Sequence, residues 1–160
     1  MSKHNQLITS DDGSHTLISN QFGVSYHSLH GAIQESRTVF LAAGLHFARH
    51  NLLTEIKILE MGFGTGLNAL LTLIEAEKYH FPIQFNTLEA YPISTQQADT
   101  LNYIDILDCS KYSDAFRLMH NTLSGQTLQL SKYYSFTKHI TKIEDFIPID
   151  KYNLVFYDAF

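Results

Sequence analysis

Glu60-Met61-Gly62-Phe63-Gly64-Thr65-Gly66-Leu67-Asn68 is the stretch on which the fold turns. It closes the run Glu55-Ile56-Lys57-Ile58-Leu59, whose apolar residues suit a strand buried in a parallel sheet. It opens a segment from Leu67 to about Lys78 that reads as a helix. Glycines let such a turn take positive φ and approach a ligand closely, and the free N–H groups at a helix start attract an anion, read here as a carboxylate. A dinucleotide turn would read G-x-G-x-x-G, with its third small residue at Leu67, where a bulky side chain impedes helix–strand packing. The spacing is instead G-x-G-x-G, which disfavours a dehydrogenase.

Working outward, Pro82 to Leu88 reads as a second strand ending in Glu89, completing a βαβ unit. Pro92 suits the first turn of a helix through Gln97, Leu101 and Ile104, and Asp114 to Leu123 suits another. Tyr134 to Ile143 and Tyr152 to Tyr157 are rich in aromatic and β-branched residues and predict strands, with a turn and helix over Glu144 to Asp150 between them. Towards the start, His15 to Ser19 and Gly23 to His27 predict a hairpin. From Glu35 to about Leu53 the spacing of Val39, Phe40, Ala43 and Phe47 predicts a helix with one buried face.

Strands alternating with helices predict a mostly parallel three-layer α/β sheet with ligands beyond the carboxyl ends of its strands. The chain of 160 residues, without repeat or linker, is expected to form one domain over 1–160: an N-terminal hairpin segment, 1–37, and a core, 38–160.

Composition narrows the function. An apolar fraction of 44% is ordinary for a globular protein, and no apolar run reaches the roughly 18 residues of a membrane span, so the chain is expected in the cytoplasm. A single cysteine, Cys109, predicts a reduced thiol rather than a disulfide. The formal charge of -5 argues against broad nucleic-acid binding without excluding a local basic patch such as Lys132, Lys138, Lys142 and Lys151. His27/His30 and His46/His50 have ligand-like spacing, but no cysteine cluster or H-E-x-x-H accompanies them, so no metal is expected.

The G-x-G-x-G loop behind an acidic strand end resembles the first motif of class I S-adenosylmethionine methyltransferases. More of the chain resembles the MnmC/MnmD-type tRNA methyltransferases. Asp12-Gly13-Ser14-His15-Thr16-Leu17, Phe22-Gly23, Tyr26-His27-Ser28 and His30-Gly31-Ala32-Ile33-Gln34-Glu35-Ser36-Arg37 are similar to the N-terminal segment of that family. Glu60 to Asn68 is similar to its E-x-G-F-G-T-G-L-N loop, Leu88 to Pro92 to its second acidic motif, and Asp158-Ala159-Phe160 to the start of its D-[AG]-F-[AS]-P motif.

The resemblance implies a Rossmann-like α/β fold with an N-terminal β-hairpin extension, here expected to lack its closing strands because the sequence stops at Phe160. It implies S-adenosylmethionine as cofactor and N-methylation of 5-aminomethyl-(2-thio)uridine at the tRNA wobble position. The anticodon loop is then the substrate, and a separate enzyme supplies the amine. Cofactor contacts fall on Glu60, Gly62, Phe63, Gly64, Thr65, Gly66, Asn68, Glu89, Ala90 and Asp158, with Glu89 expected at the ribose hydroxyls. Asp145 is favoured over Glu144 at the adenine. Asp158 is the catalytic candidate, and Tyr26, Glu35, Arg37 and Phe160 are expected at the substrate. Two readings stay open beside this one: another class I transferase acting on a small amine, such as an aminopropyltransferase, and a non-catalytic cofactor-binding domain.

Overall fold

The computed structural model describes residues 5–51 and 54–158. The chain opens with an antiparallel pair, β1 (Gln6–Thr9) and β2 (His15–Ile18). The hairpin therefore forms on the other side of β2 from the one expected. Asp12-Gly13-Ser14 makes the turn, with Gly13 at positive φ and its N–H donated to the Ser10 carbonyl. Gly23 to His27 adds only a single bridge, Ile18 to Ser25.

The next helix is continuous but not uniform: α1 (Ala32–Ser36) passes through a π-helical stretch, Arg37–His46, into α2 (Phe47–Asn51). It begins before the expected Glu35. The expected buried face is also rotated, because Val39, Ala43 and Phe47 are exposed while Phe40, Leu41, Leu45 and Ala48 are buried. Wider i→i+5 turns advance the side chains differently from the 3.6-residue period on which the expectation rested. The expected end at Leu53 lies outside the described residues.

The core sheet is built from β3 (Ile56–Met61), β4 (Ile83–Leu88), β5 (Thr127–Ser131), β6 (Tyr134–His139) and β7 (Leu154–Tyr157), in the order β5-β6-β4-β3-β7. All pairs are parallel except β5–β6. The fold is thus mixed α/β and Rossmann-like, as the sequence predicts. β5 went unread because its side chains are only partly buried and its pattern is weak. The strand predicted over Tyr134 to Ile143 ends at His139, and Ile140 N–H donates to Ser124 Oγ at 2.8 Å as the chain leaves the sheet. A single turn over Ile143–Asp145 replaces the helix expected through Asp150.

Helix α3 (Leu67–Tyr79) connects β3 to β4. The one long helix expected after Pro92 is two short ones, α4 (Thr95–Ala98) and α5 (Tyr103–Ile106), followed by α6 (Ser113–Asn121). Ser94 caps α4 by accepting the Gln97 N–H, so the helix starts after Pro92 rather than at it. Ile58, Phe85, Phe136 and Phe156 from four strands and Leu67, Leu70 and Leu73 from α3 anchor the core.

From β3 the chain moves outward through β4 to β6 and then returns to place β7 on the opposite side of β3. The direction of winding therefore reverses between β3 and β7. Their carboxyl ends flank the crevice where ligands of open α/β sheets bind. Among the described residues no helix is long and apolar enough to cross a membrane.

Candidate active site

A cleft of about 360 Å³ opens over those strand ends. The turn after β3 lines its floor with Gly62, Phe63, Gly64 and Thr65, while Leu88, Glu89, Ala90 and Tyr91 follow β4 and Tyr157 and Asp158 end β7. Phe22 and Tyr91, ring centroids 5.5 Å apart, form one lip, and Thr141 to Glu144 another.

Two glycines are demanded by close approach as well as by positive φ. A Cβ on Gly64 would lie 2.9 Å from Cδ1 of Tyr26, and one on Gly66 would lie 2.9 Å from Cζ of Phe63 and 3.0 Å from Nε2 of His120. Gly64 N–H donates to Glu89 Oε2 at 2.8 Å, and Tyr91 N–H donates to Glu89 Oε1 at 2.7 Å. Each of these carboxylate oxygens keeps a further lone-pair site for a ligand hydroxyl.

Four carboxylates gather around this end of the sheet. Asp158, pinned by its N–H to the Met61 carbonyl at 3.0 Å, accepts the Asn68 amide at 2.9 Å. Burial, reinforced by the nearby Glu35 carboxylate and opposed by the Asn68 amide, pushes its carboxyl up to about 7. Glu60 lies fully buried beneath, and burial first, with Asp158 and Glu89 adding repulsion, raises it well above the ordinary carboxylate range. Its Oε2 makes no hydrogen bond among the described residues. Such a cluster favours a cationic guest, whose charge offsets the crowding.

The expected residues are not all brought to the cleft. Gly62, Phe63, Gly64, Thr65, Glu89, Ala90, Asp158 and Tyr26 line it; Glu60, Gly66 and Asn68 support it from behind. Glu35 is half-buried, accepting the Ser28 N–H at 2.7 Å, and reaches the site through its field on Asp158. Arg37 is exposed and away from the cleft. Of the pair Glu144 and Asp145, Glu144 lines the cleft and Asp145 does not, because a tight single turn points neighbouring side chains in different directions. Phe160 lies outside the described residues.

Sequence reasoning gave no place under this cleft to His27 or His120, and it read Lys138 as part of a local basic patch, which its burial contradicts. Lys138 is buried in β6, donating to the carbonyls of Met119 at 2.8 Å and His120 at 2.6 Å and standing 5.0 Å from the Phe63 ring; burial, opposed by Glu89, lowers it to about 8. His27 and His120 are held down to about 4, both chiefly by burial. No local pattern distinguishes such residues from surface polar ones. Among the described residues no three His, Cys, Asp or Glu side chains group as a metal would require. His27 contacts Thr16, and His46 pairs with Glu75.

No family model matches the chain. Curated relatives do. The chain is 37% identical over 97 residues to the tRNA 5-methylaminomethyl-2-thiouridine biosynthesis bifunctional protein MnmC of Burkholderia multivorans, covering 56% of this chain and 14% of that protein. The MnmC of an Acidovorax strain is 40% identical over 88 residues, 52% of this chain and 13% of that protein. The crystal structure of MnmC2 from Aquifex aeolicus superposes on 99% of this chain and 50% of its own, with a TM-score of 0.75 and 22% identity. The chain is similar to MnmC proteins over about half its length. The family resemblance read from the motifs therefore holds, in sequence over about half the chain and in fold over nearly all of it. The matched segments span about one seventh of the curated MnmC proteins, and the chain spans half of the MnmC2 chain.

Proposed function

We propose that this chain binds S-adenosylmethionine over the glycine loop and transfers its methyl group to the 5-aminomethyl nitrogen of (2-thio)uridine at the tRNA wobble position. The observation that carries the proposal is the convergence of Glu89, the Gly62–Gly66 turn and Asp158 on one cleft at the reversal point of an MnmC-like sheet. The residues fit the cofactor. Glycine backbone leaves room beneath it, Glu89 keeps acceptor sites for two ribose hydroxyls, and the carboxylate cluster suits a sulfonium and an ammonium.

The cofactor supplies an electrophilic methyl carbon on a good leaving sulfur. This chain's residues hold the partners in line, a contribution of roughly 7 to 11 kcal/mol in favourable cases. A neutral amine forms the new N–C bond as the C–S bond breaks, and the nitrogen then sheds a proton. Asp158 orients the amine and receives that proton; its carboxyl near 7 makes it a better acceptor than an ordinary aspartate. Glu144 takes the adenine-side role in this reading. Tyr26 and the Phe22–Tyr91 lip offer aromatic faces to an unstacked base of the anticodon loop. The amine-bearing tRNA comes from a separate enzyme, in the cytoplasm.

The test is methyl transfer from labelled S-adenosylmethionine to tRNA carrying aminomethyl-uridine, run beside calorimetry of cofactor binding. Transfer to that tRNA and not to free polyamines is the expected result. Transfer to a polyamine instead identifies an aminopropyltransferase-like small-amine enzyme, binding without transfer a non-catalytic domain, and no binding overturns the cofactor reading as well.

A further inference from the structure

The glycine loop is gripped from outside its own βαβ unit. Thr65 lies at the centre of the loop and is fully buried. Tyr103 of α5, also fully buried, donates its hydroxyl to Thr65 Oγ1 at 3.0 Å. His120 of α6 faces the Thr65 carbonyl at 3.2 Å, and because a carbonyl can only accept, Nε2 carries the proton. The same imidazole packs against Phe63, with centroids 4.9 Å apart, and against Phe116 at 4.8 Å. It also stands where a Cβ on Gly66 would fall. Lys138, bonded to the Met119 and His120 carbonyls, fixes the last turn of α6 and so fixes His120.

We infer that Tyr103 and His120 are positioning residues for cofactor binding: together they hold the hydroxyl and the carbonyl of Thr65 and set the loop conformation that the cofactor meets. This rests on the reading of the cleft as an S-adenosylmethionine site. Three facts favour positioning over generic packing. The bonds meet the loop's own backbone and hydroxyl, they come from two separate helices, and they lie beside the positive-φ glycines that a shifted loop would distort. Burial keeps His120 neutral at physiological pH, so the grip is a plain N–H donor bond without charge repulsion from Lys138.

Calorimetry with S-adenosylhomocysteine and thermal melts test the inference together. Tyr103→Phe removes only a hydroxyl and should raise Kd about five- to tenfold, the worth of one net hydrogen bond. Thr65→Val should do the same, and the double variant should be no worse than either alone, since one bond cannot be lost twice. His120→Gln retains a donor and should bind more tightly than His120→Leu, even where the two melt at the same temperature. Unchanged Kd in Tyr103→Phe and equal Kd in the two His120 variants, with the unaltered protein binding normally, would overturn the inference. Failure of the unaltered protein to bind overturns the cofactor reading instead, so the two failures are distinct.

Discussion

Two helix starts in this molecule are built from similar residues and are used in opposite ways. At the start of α1 the β1–β2 turn supplies every cap: Ser10 Oγ accepts the Ala32 N–H at 3.2 Å, Ser14 Oγ that of Ile33 at 3.3 Å, and Asp12 Oδ2 that of Gln34 at 3.0 Å. Asp12 also accepts from Ser10 and Ser14, and a Cβ on Gly31 would fall 2.6 Å from its Oδ2. At the start of α3, Gly66 offers no side-chain cap, and the turn before it faces a cleft. A helix start closed by side chains is a structural joint. One left uncapped beside a cavity is where a ligand's polar atoms can enter.

If that contrast is right, damage at the cleft should cost function, and damage at the joint should cost stability. The largest effect is expected from Asp158→Asn: turnover falls about 100-fold or more with cofactor Kd little changed, and the melting temperature holds or rises, because a buried crowded carboxylate is removed. In the unaltered protein turnover should climb as pH rises through about 7, since Asp158 must be ionised to take a proton. A flat profile between pH 6 and 8, or equal losses of turnover and affinity in the variant, would remove Asp158 from the chemistry.

Acid should strike both regions, because His27 beside the joint and His120 beneath the loop are each lowered to about 4 by burial. A histidine kept neutral by the fold gives its full stability above its ordinary value near 6.5 and loses it as pH falls towards 4, where the unfolded chain is protonated and the folded one is not. Each should contribute a loss of at most about 3 kcal/mol over that window. Chemical denaturation at pH 7 and 4.5 of His27→Gln and His120→Gln should show a shallower acid dependence than the unaltered chain. An unchanged slope in both would show that neither histidine is held neutral.

Asp12→Ala should destabilise by about 2 kcal/mol through loss of several hydrogen bonds to a charged cap, read as a lower denaturation midpoint. Burial works against the Asp12 charge, but the bonds from Ser14, Gln34 and Ser10 outweigh it and hold its carboxyl below the usual range. Cofactor affinity should change less than stability; a larger loss of affinity would make this joint part of the site. The smallest effect is expected at the cleft rim, where Glu144→Gln should weaken cofactor binding about threefold, less than one net hydrogen bond can be worth, and Asp145→Asn should leave it unchanged. The opposite pattern would restore the order expected from sequence.

Elements whose signals are local were legible. The buried strand before Gly62, the helix after Gly66 and the carboxylates at the ends of β3 and β4 follow from apolar runs, glycine spacing and position within one βαβ unit. The first hairpin was not, because two β-favouring segments flank β2 and only the Asp12-Gly13-Ser14 turn decides which of them pairs. Nor was the inner face of the helix, since a π-helical stretch leaves no mark on a 3.6-residue count.

By itself, then, the sequence determined the α/β class, the motif resemblance and the carboxylates at the carboxyl ends of β3, β4 and β7, because these depend on residue type at short range. Only the tertiary structure decided that Asp12 is a cap, that Glu144 rather than Asp145 lines the cleft, and that Tyr103, His120 and Lys138 stand under the loop. Those roles depend on contacts between residues tens of positions apart, and on burial, which sets both hydrogen-bond partners and charge state. Neither can be read from a side chain's neighbours in the chain.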